Sequence, residues 1–363
     1  MFRIAATVTT MLGLNYWFRA AKKPKLFSVK CEDNQYIIQN IDQLNKKYYP
    51  TPWMYNTHLQ LIALGLTKKF APALRYDKVE TLNMADGGHT ALAWLGYDRA
   101  PTTPTIVVLH TITGSPQSMR GFMKDLAQMT GWRVVMCVRR GHADLKLEVP
   151  KINTMGSTDD LREQLNLIQQ RFPQSPLYGV GISAGSGLLV RYLGEEAEKS
   201  VFRAGFAYCP GYNMDEAFQY TQPFYSRLMT KKLIKQFITP NRHQFKHLNT
   251  LNQLEQSRNL DDFHKHIYEV SGHGSRQEYF SLSNPFHVFS QVKTPLMILN
   301  AEDDPICKKE NVDAYIRSNN LIPSSILVTT ERGSHCAYYE GWQAKSWANR
   351  LIANYFLTID SKK

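Results

Sequence analysis

A serine with glycines two residues to either side, Gly181-Ile182-Ser183-Ala184-Gly185, stands directly after an apolar run, Leu177 to Val180. Downstream, Leu188, Leu189 and Tyr192 repeat at helical spacing up to Gly194. The pentad by itself is a weak signal. Its context, a buried strand, a tight turn and a helix, is the order that lifts a serine hydroxyl out of the end of a sheet as a nucleophile, with small residues letting strand and helix approach. The plain alternative is a Gly-rich strand-to-helix turn with an idle serine. A serine hydroxyl is a poor nucleophile near neutral pH, so the reading stands or falls with a base and a carboxylate that orients the base.

Both candidates lie downstream at strand ends. The run Pro295 to Asn300 reads as a strand and leads into Ala301-Glu302-Asp303-Asp304-Pro305, which predicts Asp304 as the acid, four residues into the turn and directly before proline; Asp303 is the alternative. The run Ser325 to Thr330 reads as the last strand and leads through Glu331-Arg332-Gly333-Ser334 to His335, which among the eleven histidines is the one on a loop downstream of Asp304. The oxyanion formed on attack at an acyl carbonyl needs two backbone N–H donors. The spacing predicts Ala184, next to the nucleophile, and Ile112, in the loop His110-Thr111-Ile112-Thr113-Gly114 after the strand Thr105 to Leu109. His110 is read as shaping that loop rather than as a base. Cys336, beside His335, lacks an elbow of its own and is read as incidental.

The elements needed to hold these groups are legible as an alternation. Strand-like runs at Thr105 to Leu109, Arg133 to Val138, Leu177 to Val180, Phe202 to Tyr208, Pro295 to Asn300 and Ser325 to Thr330 alternate with helical stretches, the pattern of a mostly parallel, doubly wound α/β sheet. From Pro210 to Asn284 the rhythm breaks into helical, aromatic and basic sequence, which reads as a helical cap inserted before the acid strand. The expected organisation is a 1–25 anchor or targeting segment, a first core part 26–209, a cap 210–284 and a second core part 285–363. Within the cap, Tyr225 to Ile238 gathers Leu228, Met229, Leu233, Ile234 and Phe237 on one helical face and Lys231, Lys232 and Lys235 elsewhere. Such a helix can lie on an anionic lipid surface or pack its apolar face on the catalytic core.

The net charge of +12 is spread over scattered lysines without any nucleic-acid module, so an anionic membrane surface is the better partner for it. Before the first acid, Glu32, the run Ile4 to Phe18 and the cations Arg19, Lys22, Lys23 and Lys25 admit three readings: a short single-pass membrane anchor, a mitochondrial presequence, or a free helix. Five cysteines without a C-x-x-C pair imply mostly reduced thiols.

Several landmarks outside the triad carry a family resemblance. Tyr49-Pro50-Thr51-Pro52-Trp53 with His58-Leu59-Gln60, then Asp86-Gly87-Gly88 with Trp94, Arg139-Arg140-Gly141-His142, Gly156-Ser157-Thr158-Asp159-Asp160, and Tyr279-Phe280 before Ser283-Asn284-Pro285 resemble the YheT-like and EMB-like branch of the AB hydrolase superfamily, which includes membrane-anchored ABHD lipid hydrolases. The chain departs from that branch at Thr57 and Leu61, where it has Gly and Thr, and at Thr111, where the oxyanion loop often has Gly. The resemblance runs from about residue 45 to the end. It implies the α/β-hydrolase fold, Ser183, Asp304 and His335 as nucleophile, acid and base, lipid-type acyl esters (a monoacylglycerol, short-chain ester or phospholipid) as substrate, no metal or organic cofactor, and an N-terminal membrane anchor. The function expected is a serine carboxylester hydrolase with no obligate protein partner. Acyl transfer from the same acyl-enzyme, or a non-catalytic lipid- or sterol-binding protein on this fold, are the alternatives.

Overall fold

The computed structural model describes residues 16, 20–317 and 322–362. Nine strands form one sheet: β1 (Lys25–Ser28), β2 (Lys78–Asn83), β3 (His89–Leu95), β4 (Thr105–Leu109), β5 (Arg133–Val138), β6 (Leu177–Ile182), β7 (Phe202–Tyr208), β8 (Leu296–Ala301) and β9 (Ser325–Thr330), in the order β1-β9-β8-β7-β6-β4-β5-β3-β2. Strands β4 to β9 pair in parallel. β1 adds antiparallel to β9 at one edge, and β3 and β2 add antiparallel beyond β5 at the other. The expectation of a mostly parallel, doubly wound sheet therefore holds, with three further strands at the margins.

The parallel strands are buried along nearly their whole length because helices cover both faces, which is why they read as continuous apolar runs. Successive side chains of β4 divide between the faces. Ile106 and Val108 join the core beneath α1 (Glu32–Asn40), α2 (Pro116–Thr130) and α5 (Trp347–Ser361), while Val107 and Leu109 join the core beneath α3 (Thr158–Arg171) and α4 (Ala184–Glu196). Of these helices α2 has the fullest local signals: Ser115 and Ser118 form a capping box, Pro116 opens the helix and Gly131, at φ 71°, closes it.

Between β7 and β8 the chain runs through helices that include Met214–Tyr220, Pro223–Leu233, Leu260–His266 and Arg276–Ser283. They build a third apolar core around Phe245, Leu254, Phe263 and Val270, which Leu147 and Ile152 join from the segment after β5. The segment expected to form one cationic amphipathic helix differs in register. Pro223–Leu233 is α-helical, but Ile234–Ile238 widens into a π-turn. The buried residues are Ser226, Thr230, Leu233, Phe237 and Ile238, whereas Leu228 is 55% exposed and Phe224 63% exposed. Ser226, Thr230, Leu233 and Phe237 follow the helical i, i+4, i+7, i+11 spacing of one stripe, and Leu228, five residues before Leu233, falls outside it.

Most of the expected 1–25 segment lies outside the described residues. No helix among the described residues is long and apolar enough to cross a membrane.

Candidate active site

β4 lies between β5 and β6, so the chain changes direction across the sheet there. The crevice at the carboxyl ends of β4 and β6 is where open α/β sheets bind ligands. Two loops meet in it: His110–Gly114 after β4 and the Ser183 turn after β6. Their approach depends on Gly185, where an added Cβ would stand 2.0 Å from the Leu109 carbonyl oxygen, and on Gly181, where it would stand 2.3 Å from that of Gly185. Ser183 itself has φ 54° and ψ −117°. For a residue with a side chain this conformation costs on the order of 1–3 kcal/mol, and the packed strand and helix must supply it.

The structure brings the three residues singled out in the sequence into one hydrogen-bonded chain. His335 Nε2 lies 2.8 Å from Ser183 Oγ, and His335 Nδ1 lies 2.7 Å from Asp304 Oδ2. A carboxylate faces Nδ1, so the neutral ring carries its proton there and leaves Nε2 to accept from the serine hydroxyl. The other carboxylate oxygen, Oδ1, accepts from the backbone N–H groups of Ile306 at 2.7 Å and Cys307 at 2.9 Å. Asp304 is thus held on both oxygens, and it is 1% exposed. Burial disfavours a charged imidazole at His335, but the Asp304 carboxylate, with the Cys336 and Cys307 thiols beside it, outweighs burial and holds His335 well above its usual pKa.

Asp303 does a different job. Its Oδ2 accepts from Thr57 Oγ1 at 2.5 Å and its Oδ1 from the Ser334 N–H at 2.8 Å, and Ser334 Oγ donates to the Thr57 carbonyl at 3.0 Å. Asp303 and Thr57 therefore hold the backbone one residue before His335, on a loop where Ser334, Cys336 and Tyr338 all have positive φ. Burial raises the Asp303 carboxyl.

Ile112 and Ala184 line the same cavity as Ser183. It has a volume of about 50 Å³ and is otherwise walled mainly by Met155, Met214, Phe218, Met229 and Leu260. The loop bearing Ile112 is fixed from behind. Arg139 Nη2 donates to the Thr111 carbonyl at 2.6 Å and the His110 carbonyl at 3.3 Å, and the Arg139 N–H donates to His110 Nε2 at 3.2 Å. Burial lowers Arg139 to about 10 and, with the Arg139 charge, takes His110 well below its usual value. His110 is a neutral loop-former with both nitrogens engaged, as Nδ1 lies 2.8 Å from the Thr111 carbonyl. A second cavity of about 40 Å³ shares Ile112, Met155 and Ala184 with the first and extends to Phe237 and Phe263 of the helices between β7 and β8.

Sequence reasoning passed over the sulfur chemistry. Cys209, at the end of β7, accepts the Cys336 N–H at 3.3 Å, and the Cys209, Cys336 and His335 ligand atoms lie within 4.8 Å of one another. Cys307 forms a similar group with Asp304 and His335. Adjacency in sequence to a candidate base was the available signal at Cys336; nothing local marks Cys209 or Cys307.

A doubly wound sheet with a serine at the elbow of β6, its partners after β8 and β9 and helices inserted between β7 and β8 defines a class. The chain belongs to the alpha/beta hydrolase fold family, which it matches over residues 104–341. It is 26% identical over 345 residues to phospholipase ABHD3 of Bos taurus, covering 91% of this chain and 83% of that one. It is 24% identical over 357 residues to monoacylglycerol lipase ABHD2 of Danio rerio, covering 90% of this chain and 84% of that one. Among solved structures, the hyperthermophilic esterase from Pyrobaculum calidifontis superposes with a TM-score of 0.53 at 13% identity, over 84% of this chain and 90% of that one, a likeness of fold.

Proposed function

We propose that the protein is a serine carboxylester hydrolase acting on lipid-type acyl esters. The observation that carries this reading is the relay of 2.8 and 2.7 Å from Ser183 through His335 to a buried, doubly anchored Asp304. In this mechanism His335 takes the Ser183 proton as Oγ attacks the ester carbonyl, and the Ala184 and Ile112 N–H groups stabilise the oxyanion. The imidazolium, stabilised by Asp304, returns the proton to the leaving alcohol, and water then releases the acid from the acyl-enzyme by the same steps. The apolar cavity beside Ser183 receives the acyl chain. The phospholipase and monoacylglycerol lipase names of the relatives support a lipid ester as substrate.

In the same reading the protein works at a membrane surface. Phe224 and Leu228 are exposed on the helix that also carries Lys231 and Lys232, and residues 1–25 supply an anchor. Liposome binding that survives Lys231→Glu with Lys232→Glu would remove the first element, and full extraction of the tagged chain by carbonate would remove the second. The test of the enzyme itself is fluorophosphonate labelling with peptide mapping, together with hydrolysis of monoacylglycerol and lysophospholipid. Labelling at Ser183, lost in His335→Ala, and ester hydrolysis lost in Ser183→Ala are expected. Hydrolysis retained in full by Ser183→Ala would overturn the mechanism.

A further inference from the structure

Two thiols that the proposed reaction does not use stand against its base. Cys209 leaves β7 with φ 52°, Cys336 follows His335 with φ 60°, and the Cys336 N–H to Cys209 Sγ contact at 3.3 Å fixes the two loops against each other. The two sulfurs and an imidazole nitrogen of His335 lie within 4.8 Å of one another. Two sulfurs and one imidazole form a ligand set suited to a borderline-soft divalent cation. With metal–sulfur distances of about 2.3 Å and metal–nitrogen distances of about 2.0 Å, ligand atoms in a tetrahedral site sit roughly 3.3–3.8 Å apart. Side-chain rotation of about 1 Å would close the present spacing to that value.

An access route exists that does not pass through the acyl cavity. A cavity of about 420 Å³ reaches the cluster at Cys336 and is lined by Tyr208, Thr111, Lys68 and Asp125 among others, but not by Ser183, His335 or Cys209. Its wall carries Lys68, Arg120 and Lys345 against one carboxylate, Asp125, so an entering cation meets a net positive wall and the thiolates must supply the attraction.

We propose that Cys209, Cys336 and His335 form an inhibitory site for a zinc-like divalent cation, which enters from this cavity and, by coordinating His335, withdraws it from Ser183. The two sulfurs bind as thiolates, and their protons pass to solvent. Inhibition is reversible because no covalent bond forms within the protein, and a chelator restores the relay. The inhibitory consequence rests on His335 acting as the base, but the metal site does not.

The experiment uses the full chain, zinc chloride and cadmium chloride. Ester hydrolysis and fluorophosphonate labelling are measured across a zinc titration, each variant relative to its own metal-free rate, and the thiolate-to-cadmium charge-transfer absorption is read separately. Zinc should inhibit reversibly, with chelator restoring the rate. Cys336→Ser and Cys209→Ser should each raise the half-inhibiting zinc concentration about tenfold or more and weaken the cadmium absorption. The Ser variants retain a polar acceptor at position 209, and Cys31→Ser, remote at the Pro323 carbonyl, should change neither readout. A cadmium signal sensitive to Cys336 and Cys209 in a protein without hydrolysis would uphold the metal site and reject the enzyme reading. Active protein with no zinc inhibition and no cadmium band would overturn the site, as would inhibition relieved by Cys307→Ser alone.

Discussion

Two adjacent aspartates, Asp304 buried and Asp303 partly buried, should give very different results when each is replaced by asparagine. In Asp304→Asn, the Ile306 and Cys307 N–H groups, 2.7 and 2.9 Å from Oδ1, require an acceptor there, so the amide oxygen takes that position. The amide NH₂ then faces His335 Nδ1 where Oδ2 accepted at 2.7 Å. The ring must accept at Nδ1, its proton moves to Nε2, and Nε2 can no longer take a proton from Ser183. Loss of this tautomer in a serine triad costs about 10⁴ in kcat, or about 5 kcal/mol of transition-state stabilisation. In Asp303→Asn, the amide oxygen still accepts from the Ser334 N–H, and the NH₂ can donate to Thr57 Oγ1, which reverses its role. The His335 loop keeps its tether, and kcat should fall no more than about tenfold, the scale of one altered hydrogen bond of about 1 kcal/mol. The assay is steady-state hydrolysis of a short-chain nitrophenyl ester with the rate of fluorophosphonate labelling, on variants whose circular dichroism matches the parent. Equal losses in the two variants, or the larger loss in Asp303→Asn, would refute the assignment of the acid.

Four further outcomes follow from the same geometry. His335 is raised well above 6.5 in the folded protein, and only the neutral ring accepts a proton, so kcat/KM should fall as pH is lowered through that raised value. The same shift contributes stability that is fully present below about 6.5 and lost as pH rises through the folded value, so melting of the parent against Asp304→Asn should converge at alkaline pH; a rate profile with its acid limb below 6.5 would contradict both. Gly185→Ala places a methyl 2.0 Å from the Leu109 carbonyl and 2.7 Å from that of His110, which forces α4 off β4 and should cost about 3 kcal/mol or more, read as a lowered melting temperature with loss of labelling. Met155 stands on the wall of both cavities, so Met155→Ala should join them and move the preferred acyl chain longer by a few methylenes, each worth about 0.8 kcal/mol when buried; an unchanged chain-length profile would place the acyl chain elsewhere.

What could be read in advance follows the physics of each element. The six parallel strands are buried on both faces, so their apolar runs are dense enough to stand out. β2 puts Lys78, Glu80 and Leu82 on its half-buried face and Val79, Thr81 and Asn83 on its exposed one, so no apolar alternation marks it; β1 is a four-residue edge whose partner in the sheet is some three hundred positions away. Site residues set by the strand-end rule were nameable because the sheet itself places them. The residues that act on those residues were not. Thr57 reads only as a departure from a family pattern, yet its hydroxyl and carbonyl hold Asp303 and Ser334. Arg140 reads as one of two arginines in a turn, yet its buried guanidinium pairs with Asp86 at 2.7 Å and Asp160 at 2.6 Å, tying three separate landmarks together. Removing both carboxylates would leave the buried guanidinium uncompensated, a cost that ties the segments together in space. Cys209 and Cys336 meet for the same kind of reason: β7 and β9 are separated by β8 in the sheet, and only the sheet order brings the loops that follow them into contact. Contacts of this sort are properties of the topology, and they become legible once the strand order is known.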